Sequence, residues 1–287
     1  MRKVLLATTA LVAMSVSAAQ ADITISGVIE TNYNNDGTTS AMGQDGNITL
    51  KSTSVTDSGL TAMVVANMGI QGTTMNMEDS YLELSGDFGT IRTGATDLSG
   101  DVKDGVLGKN KDVYSFGVNS ITTTLLGTDV MDNDNDTSLS YFSPSINGLQ
   151  VYGSTVIDKE QVMGINYSFG GFDLMYQNAS KAGQDENSIG VGFSMAGVSV
   201  NMGKKREKTV TTTTNSSDLN LKYSVSDALT VSYLLQKGKR GSTKESQTGL
   251  EAAYSIAPGI TAYVGLNNED DGSTSDDSTG FAIEVSF

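Results

Sequence analysis

From Asp22 onward, apolar side chains recur at every second position in one run after another, and this constrains the chain more than anything else about it. A period of two means extended strands with two unlike faces. In the first run Ile23, Ile25 and Ile29 share one face, with Thr24, Ser26, Glu30 and Asn32 on the other; Val28 breaks the pattern. Leu60, Ala62, Val64, Ala66 and Met68 alternate again. So do Leu219, Leu221, Tyr223 and Val225, then Leu229, Val231, Tyr233 and Leu235, then Leu250, Ala252, Tyr254 and Ile256. The last run sets Phe281, Ile283, Val285 and Phe287 against Ala282, Glu284 and Ser286. Helical spacing is hard to find anywhere in between.

Turn signals punctuate these runs. Seven are tight, among them Asp57-Ser58-Gly59, Gly86 to Gly89, Phe169-Gly170-Gly171 and Ala257-Pro258-Gly259. Eight other connections read as longer polar loops, near 34–46, 69–79, 97–136, 158–161, 179–187, 207–217, 238–247 and 267–278. Short and long alternate, so fifteen connections join sixteen strands with every short turn at one end. A soluble sandwich has no reason for that asymmetry. An outer-membrane barrel has: an even strand count, short turns on one side and longer loops on the other. Closure also removes the sheet edge that lipid cannot hydrogen-bond. The expectation is therefore an all-β fold, a closed transmembrane antiparallel β-barrel of about 16 strands. Both termini lie at the short-turn end, and the last strand pairs with the first.

Residues 1–21 read as a signal peptide and 22–287 as a single barrel domain. Arg2 and Lys3 precede an apolar run too short to span a bilayer, and Ala19-Gln20-Ala21 is a cleavage pattern. Losing Arg2 and Lys3 takes the formal charge from −15 to −17. That sign excludes a basic nucleic-acid binder. The chain has no Cys and no His, which removes disulfides, thiolate nucleophiles, Ser-His-Asp triads and nitrogen- or sulfur-ligated metals. No enzyme is expected. Tyr81, Tyr167, Phe169, Phe172, Tyr176, Phe193, Tyr223, Tyr233, Tyr254, Phe281 and Phe287 fall largely at strand ends, where aromatic girdles sit at the membrane interfaces.

Three stretches carry a family likeness: Asn47 to Asn67 with Thr56-Asp57-Ser58-Gly59-Leu60, Tyr81 to Asp97 with Leu84-Ser85-Gly86-Asp87-Phe88-Gly89-Thr90-Ile91, and Ser138 to Tyr152. With the terminal Phe287, they resemble the sixteen-stranded trimeric general porins of Gram-negative bacteria, most closely the alphaproteobacterial branch. The resemblance implies a homotrimer in the bacterial outer membrane, surrounded by outer-membrane lipid and passing small hydrophilic solutes and ions. It also implies that the longest loop, about 97–136, follows strand five into the lumen and narrows the pore.

A transverse field between an acidic loop and basic wall residues would sort solutes by charge. Asp97, Asp101, Asp104 and Asp112 lie on that loop, with Lys103, Lys109 and Lys111 between them, and Val113, Tyr114, Phe116 and Val118 as an apolar anchor. On the wall, alternation turns Lys51, Arg92 and Lys222 toward the lumen, together with Glu30, Glu83, Glu251 and Glu284. Each of these charges has a plainer reading, as a solvated wall or loop group with no selective role. The net charge and the lumen glutamates predict a mild cation preference.

Asp132, Asp134 and Asp136 place carboxylates at alternate positions, as in the first half of an EF-hand loop. The glycine and the closing glutamate are missing. No cofactor is required; the trio is a candidate calcium site, against the plainer reading of a solvated acidic loop. Glu269, Asp270, Asp271, Asp276 and Asp277 form a second acidic group. A passive diffusion channel is the expected function. A substrate-specific channel of the same fold would need an aromatic or basic track along the lumen, of which Tyr81 and Tyr263 are the only inward candidates. A secreted β-rich binding protein is the remaining alternative.

Overall fold

A computed structural model describes residues 22–96 and 137–287. Sixteen strands follow one another: β1 (Asp22–Asn35), β2 (Ser40–Val55), β3 (Thr61–Gln71), β4 (Thr74–Gly86), β5 (Gly89–Ala95), β6 (Thr137–Phe142), β7 (Leu149–Val156) and β8 (Glu160–Phe169), then β9 (Phe172–Lys181), β10 (Gln184–Met195), β11 (Val198–Thr209), β12 (Thr213–Ser224), β13 (Leu229–Arg240), β14 (Thr243–Ala257), β15 (Ile260–Asp270) and β16 (Ser275–Ser286). Each pairs antiparallel with its neighbours in sequence, and β1 closes on β16, giving a closed barrel. Every strand backbone therefore finds its partner inside the protein, which hydrocarbon requires.

The seam is fixed at its turn end by Gly27 and Phe287. Each donates its backbone N–H to the other's carbonyl at 3.0 Å. Gly27 is required by crowding: a Cβ there would meet the Phe287 Cζ at 2.8 Å and the Asn47 carbonyl at 2.6 Å. The tight turns follow from local chemistry. Gly170 and Gly171 both take positive φ (57° and 87°), the geometry a two-residue hairpin needs to match strand twist.

The loop lengths expected from sequence are corrected by the structure. Six of the eight segments read as long loops are mostly paired strand, and 158–161 is half strand. β13 runs on to Arg240 and β14 begins at Thr243, so 238–247 is a continuous hairpin around residues 241 and 242. Likewise β15 and β16 leave only residues 271–274 between them. The arms at 238–247 and 267–278 are polar on both faces, so apolar alternation stops there while hydrogen bonding continues. The asymmetry of the barrel is in its polar strand extensions, and only the β5–β6 connection is long.

Alternation divides the wall cleanly. Leu219, Leu221 and Tyr223 of β12 lie in register with Leu235, Tyr233 and Val231 of β13, all facing outward. Across the barrel Ile25, Leu50, Ile165, Leu174, Val264 and Phe281 are exposed on the same outer face. This is the inside-out pattern of a lipid-facing band. Tyr167, Phe169, Phe172, Tyr176, Tyr223, Tyr254 and Phe287 are exposed on it as well, and Phe172 packs on Phe193 at 4.7 Å. Tyr81 departs from the aromatic set: it faces the lumen, opposite Val65 and Gly94. The inner face is built from polar residues such as Ser140, Gln177, Ser188, Asn201, Asn220 and Ser232.

Candidate functional site

The lumen wall is the place where chemistry can be read. The turn between Gly86 and Gly89 sets Glu83 of β4 directly opposite Arg92 of β5. Arg92 donates from Nε and Nη2 to the Glu83 Oε2 at 3.0 and 2.9 Å, with only 16% and 15% of the two side chains exposed. The guanidinium also lies 4.4 Å from the Tyr81 ring centroid and 5.6 Å from that of Phe142. A carboxylate and two ring faces thus hold this cation against the wall. Lys51 is different. It stands exposed on β2, between Thr24 and Val65. Lys222 faces inward between Ser199 and Ser232.

Glu30 lies in register with Asp45 on one side and Glu284 on the other, so three carboxylates share one inward row. Opposed like charges destabilise a sheet. Donors offset this: Asn32 Nδ2 reaches the Glu30 Oε1 at 3.0 Å, and the Tyr263 hydroxyl reaches the Glu284 Oε1 at 3.3 Å.

The inward positions of β8 to β15 carry Glu251, which the sequence already turned inward, and further carboxylates whose inward placement sequence reasoning passed over. Glu160 is ion-paired with Lys181. Glu186, opposite Glu207, accepts from Ser188 at 2.9 Å. Glu269 accepts from Asn267 at 3.0 Å and Gln247 at 3.2 Å. Asp218, Glu245 and Glu251 face the same way. The inward cations on these strands are Lys181, Lys205, Lys222 and Arg240. Their common signal is the same alternation, hidden where the segments read as loops.

An apolar patch interrupts the polar lining. Tyr152, Val162, Met175 and Ala179 form a buried inward cluster, with Phe142 packed against it. The Tyr152 ring covers Gly164, where any Cβ would overlap it, and its hydroxyl donates to the Gln177 Oε1 at 3.0 Å.

Of the residues expected to form the pore, Lys51, Arg92, Lys222, Glu30 and Glu83 are all on the lumen face. Asp97, Asp101, Lys103, Asp104 and Asp112 lie outside the described residues, as do Asp132, Asp134 and Asp136 of the candidate calcium site. The second acidic group is corrected. Alternation sends Glu269 and Asp276 inward and Asp270 and Asp277 outward, while Asp271 accepts from the Ser273 and Thr274 amides of its own turn. No group of carboxylates among the described residues is placed to hold a metal ion.

Residues 7–274 match the family model of the Gram-negative porins. The fold resembles an anion-selective porin from Comamonas acidovorans, with a TM-score of 0.74 and 16% identity over 93% of this chain and 100% of that one. It also resembles a loop-deleted form of OmpT, an outer membrane protein of Vibrio cholerae, with a TM-score of 0.75 and 12% identity over 93% and 99% of the two chains. A mutant of the porin of Rh. blastica gives a TM-score of 0.70 and 14% identity over 93% and 100%. No curated protein matches the sequence.

Proposed function

The chain belongs to the Gram-negative porin family, and from that premise we propose that its outer-membrane channel passes small hydrophilic solutes by passive diffusion with a mild preference for cations. The observation that carries the charge preference is the sign of the inner wall. Glu30, Asp45 and Glu284 share a row, and Glu186, Glu207, Asp218, Glu245 and Glu251 face the same space. The basic residues there are fewer, and Arg92 and Lys181 are already engaged by Glu83 and Glu160. A lumen of one sign concentrates counter-ions. The likeness to an anion-selective porin is a likeness of fold at 16% identity, whereas preference is set by the side chains of this wall.

Three further features belong to this reading. Residues 1–21 act as a cleaved export signal. The segment about 97–136, outside the described residues, is in this reading the constriction loop that the family resemblance implies. The working unit is a homotrimer; one form of the similar Vibrio cholerae OmpT is described as a trimer. The motifs around the first turns favour the alphaproteobacterial branch. Transport involves no covalent step and no cofactor.

Liposome swelling tests the proposal. Vesicles carrying the folded protein are expected to swell in small sugars and to stop swelling above a size limit. A monovalent cationic solute should enter faster than an anionic one of equal size. Faster entry of the anion would overturn the charge preference, and no swelling with any solute would overturn the open pore.

A further inference from the structure

One strand of the inner wall brings a carboxylate, an amide and an ammonium to consecutive inward positions. Asp218, Asn220 and Lys222 lie on β12, and Leu219 and Leu221 between them face outward. Successive residues on one face of a strand stand roughly 7 Å apart. Side chains of this length therefore converge over a single patch of wall.

Two of the three have hydrogen-bonding capacity that nothing meets. Asn220 is 2% exposed, and its Oδ1 accepts no hydrogen bond. Its register neighbours supply no donor. On β13 it faces Leu234. On β11 it faces Asn201, which turns its own Oδ1 to the opposite side, 2.8 Å from where a Cβ on Gly192 would stand. The Asp218 Oδ2 is enclosed as well and accepts nothing. Gly203 and Gln236 lie beside it in register. Lys205 stands one inward position toward the loop end, opposite Ser216, and leaves this oxygen unbonded. Folded proteins keep few such enclosed acceptors without a donor, because each is costly.

Lys222 has the complementary need. Ser199 and Ser232 flank it, and it is part-exposed. Among the described residues no carboxylate forms an ion pair with it. Glu251, the next carboxylate in its row, lies beyond Ser232, a further strand away.

The remaining side of the patch is apolar. Leu234 is 3% exposed and faces inward beside Asn220, where the rest of the row offers Asn201 and Asn267. Its partner on β14 is Gly249, so no side chain from that strand stands next to it. Two acceptors without donors call for N–H groups, an unengaged ammonium calls for a carboxylate, and the leucine calls for a short aliphatic group. A solute that carries all three around one carbon is an α-amino acid in its zwitterionic form.

We propose that the Asp218–Asn220–Lys222 column is a lumen binding site for small α-amino acids. The ammonium lies between the Asp218 and Asn220 oxygens, the carboxylate on Lys222 and the side chain against Leu234. The site deepens the diffusion-channel reading and rests on it. It occupies β12 and β13, a different part of the wall from the Glu83–Arg92 pair on β4 and β5. Asp218 and Lys222 are part-exposed, so the column opens to the lumen at both ends. A wall of one sign ranks solutes by net charge, whereas this column selects the zwitterion over an ion of either sign.

The test is saturation-transfer NMR of L-alanine with the folded protein in detergent, alongside conductance in a planar bilayer. L-Alanine is expected to give a saturable signal and to lower open-channel conductance with the same midpoint. L-Alaninamide, which lacks the carboxylate, and propionate, which lacks the ammonium, should each bind at least about tenfold more weakly. Asn220→Ala and Lys222→Gln should each raise the dissociation constant for L-alanine at least about tenfold. Lys239→Gln, on the outer face, should leave it unchanged. A circular-dichroism spectrum matching wild type shows that each variant is folded; if one is not, the three solutes on wild type decide. No saturable signal with L-alanine would overturn the proposal. So would equal binding of L-alaninamide or propionate, which would mark a site for one charge alone, or equal affinity in wild type and both column variants. Binding of L-alanine by a protein that gives no conductance steps would support the site and overturn the open channel. Steps without binding would do the reverse.

Discussion

At Arg92 the guanidinium rests between the Glu83 carboxylate and the rings of Tyr81 and Phe142. Its charge is formally a lumen charge, yet most of its field is cancelled within 3 Å. Lys51, exposed on the same wall, has no such neighbour in register. This difference predicts the effect of Glu83→Gln. The substitution should lower stability by about 1–3 kcal/mol in chemical denaturation, because a half-buried charge-assisted hydrogen bond is lost. It should also move ion preference toward anions, since Arg92 is then less neutralised. An unchanged unfolding midpoint together with unchanged preference would show that the pair is neither structural nor electrostatic. Alternation alone turned both residues inward. Their pairing was not legible, because a cross-strand partner is set by the register of a hairpin and leaves no mark in either strand.

Hairpins are the unit at which the sequence was partly misread. The apolar runs located the membrane-facing half of each strand, because burial in lipid imposes alternation there. Beyond the band both faces of a strand meet water, nothing selects apolar residues, and 207–217, 238–247 and 267–278 looked like loops. The outward Lys208, Lys239 and Lys244 were missed for this reason. So was the division of Glu269, Asp270, Asp276 and Asp277 between two faces. Two hairpin tips, between β1 and β2 and between β15 and β16, carry a pH dependence. Asp36 accepts from the amides of Thr38 and Thr39, and Asp271 from those of Ser273 and Thr274. These bonds favour the charged form and hold both carboxyls below their ordinary range. A depressed folded pKa contributes stability that is present above the unfolded value and lost as pH falls through the folded one. Amide exchange, corrected for its intrinsic pH dependence, should therefore rise at Thr38, Thr39, Ser273 and Thr274 as the medium is acidified below the usual carboxylate range. Amides in the paired body of the strands should stay protected. Equal protection of the tips at neutral and strongly acidic pH would contradict the capping role.

As a whole, the molecule sorts its residues by solvent: apolar outward at mid-height, carboxylates inward, and unpaired lysines outward above the band. Strand number, closure and inside-out polarity were legible in the sequence because each follows from a period of two and from the demands of lipid. The inner apolar patch of Tyr152, Val162, Met175 and Ala179 was not, since it inverts the alternation expected of a wet lumen. The central claim is that the carboxylate-rich wall sets the charge preference of an open pore. The most direct test is the reversal potential of the folded protein in a planar bilayer with a potassium chloride gradient across it. Discrete ohmic steps and a reversal potential on the cation side are expected, declining toward zero as the lumen carboxylates are protonated at low pH. A reversal potential on the anion side at neutral pH would contradict the claim.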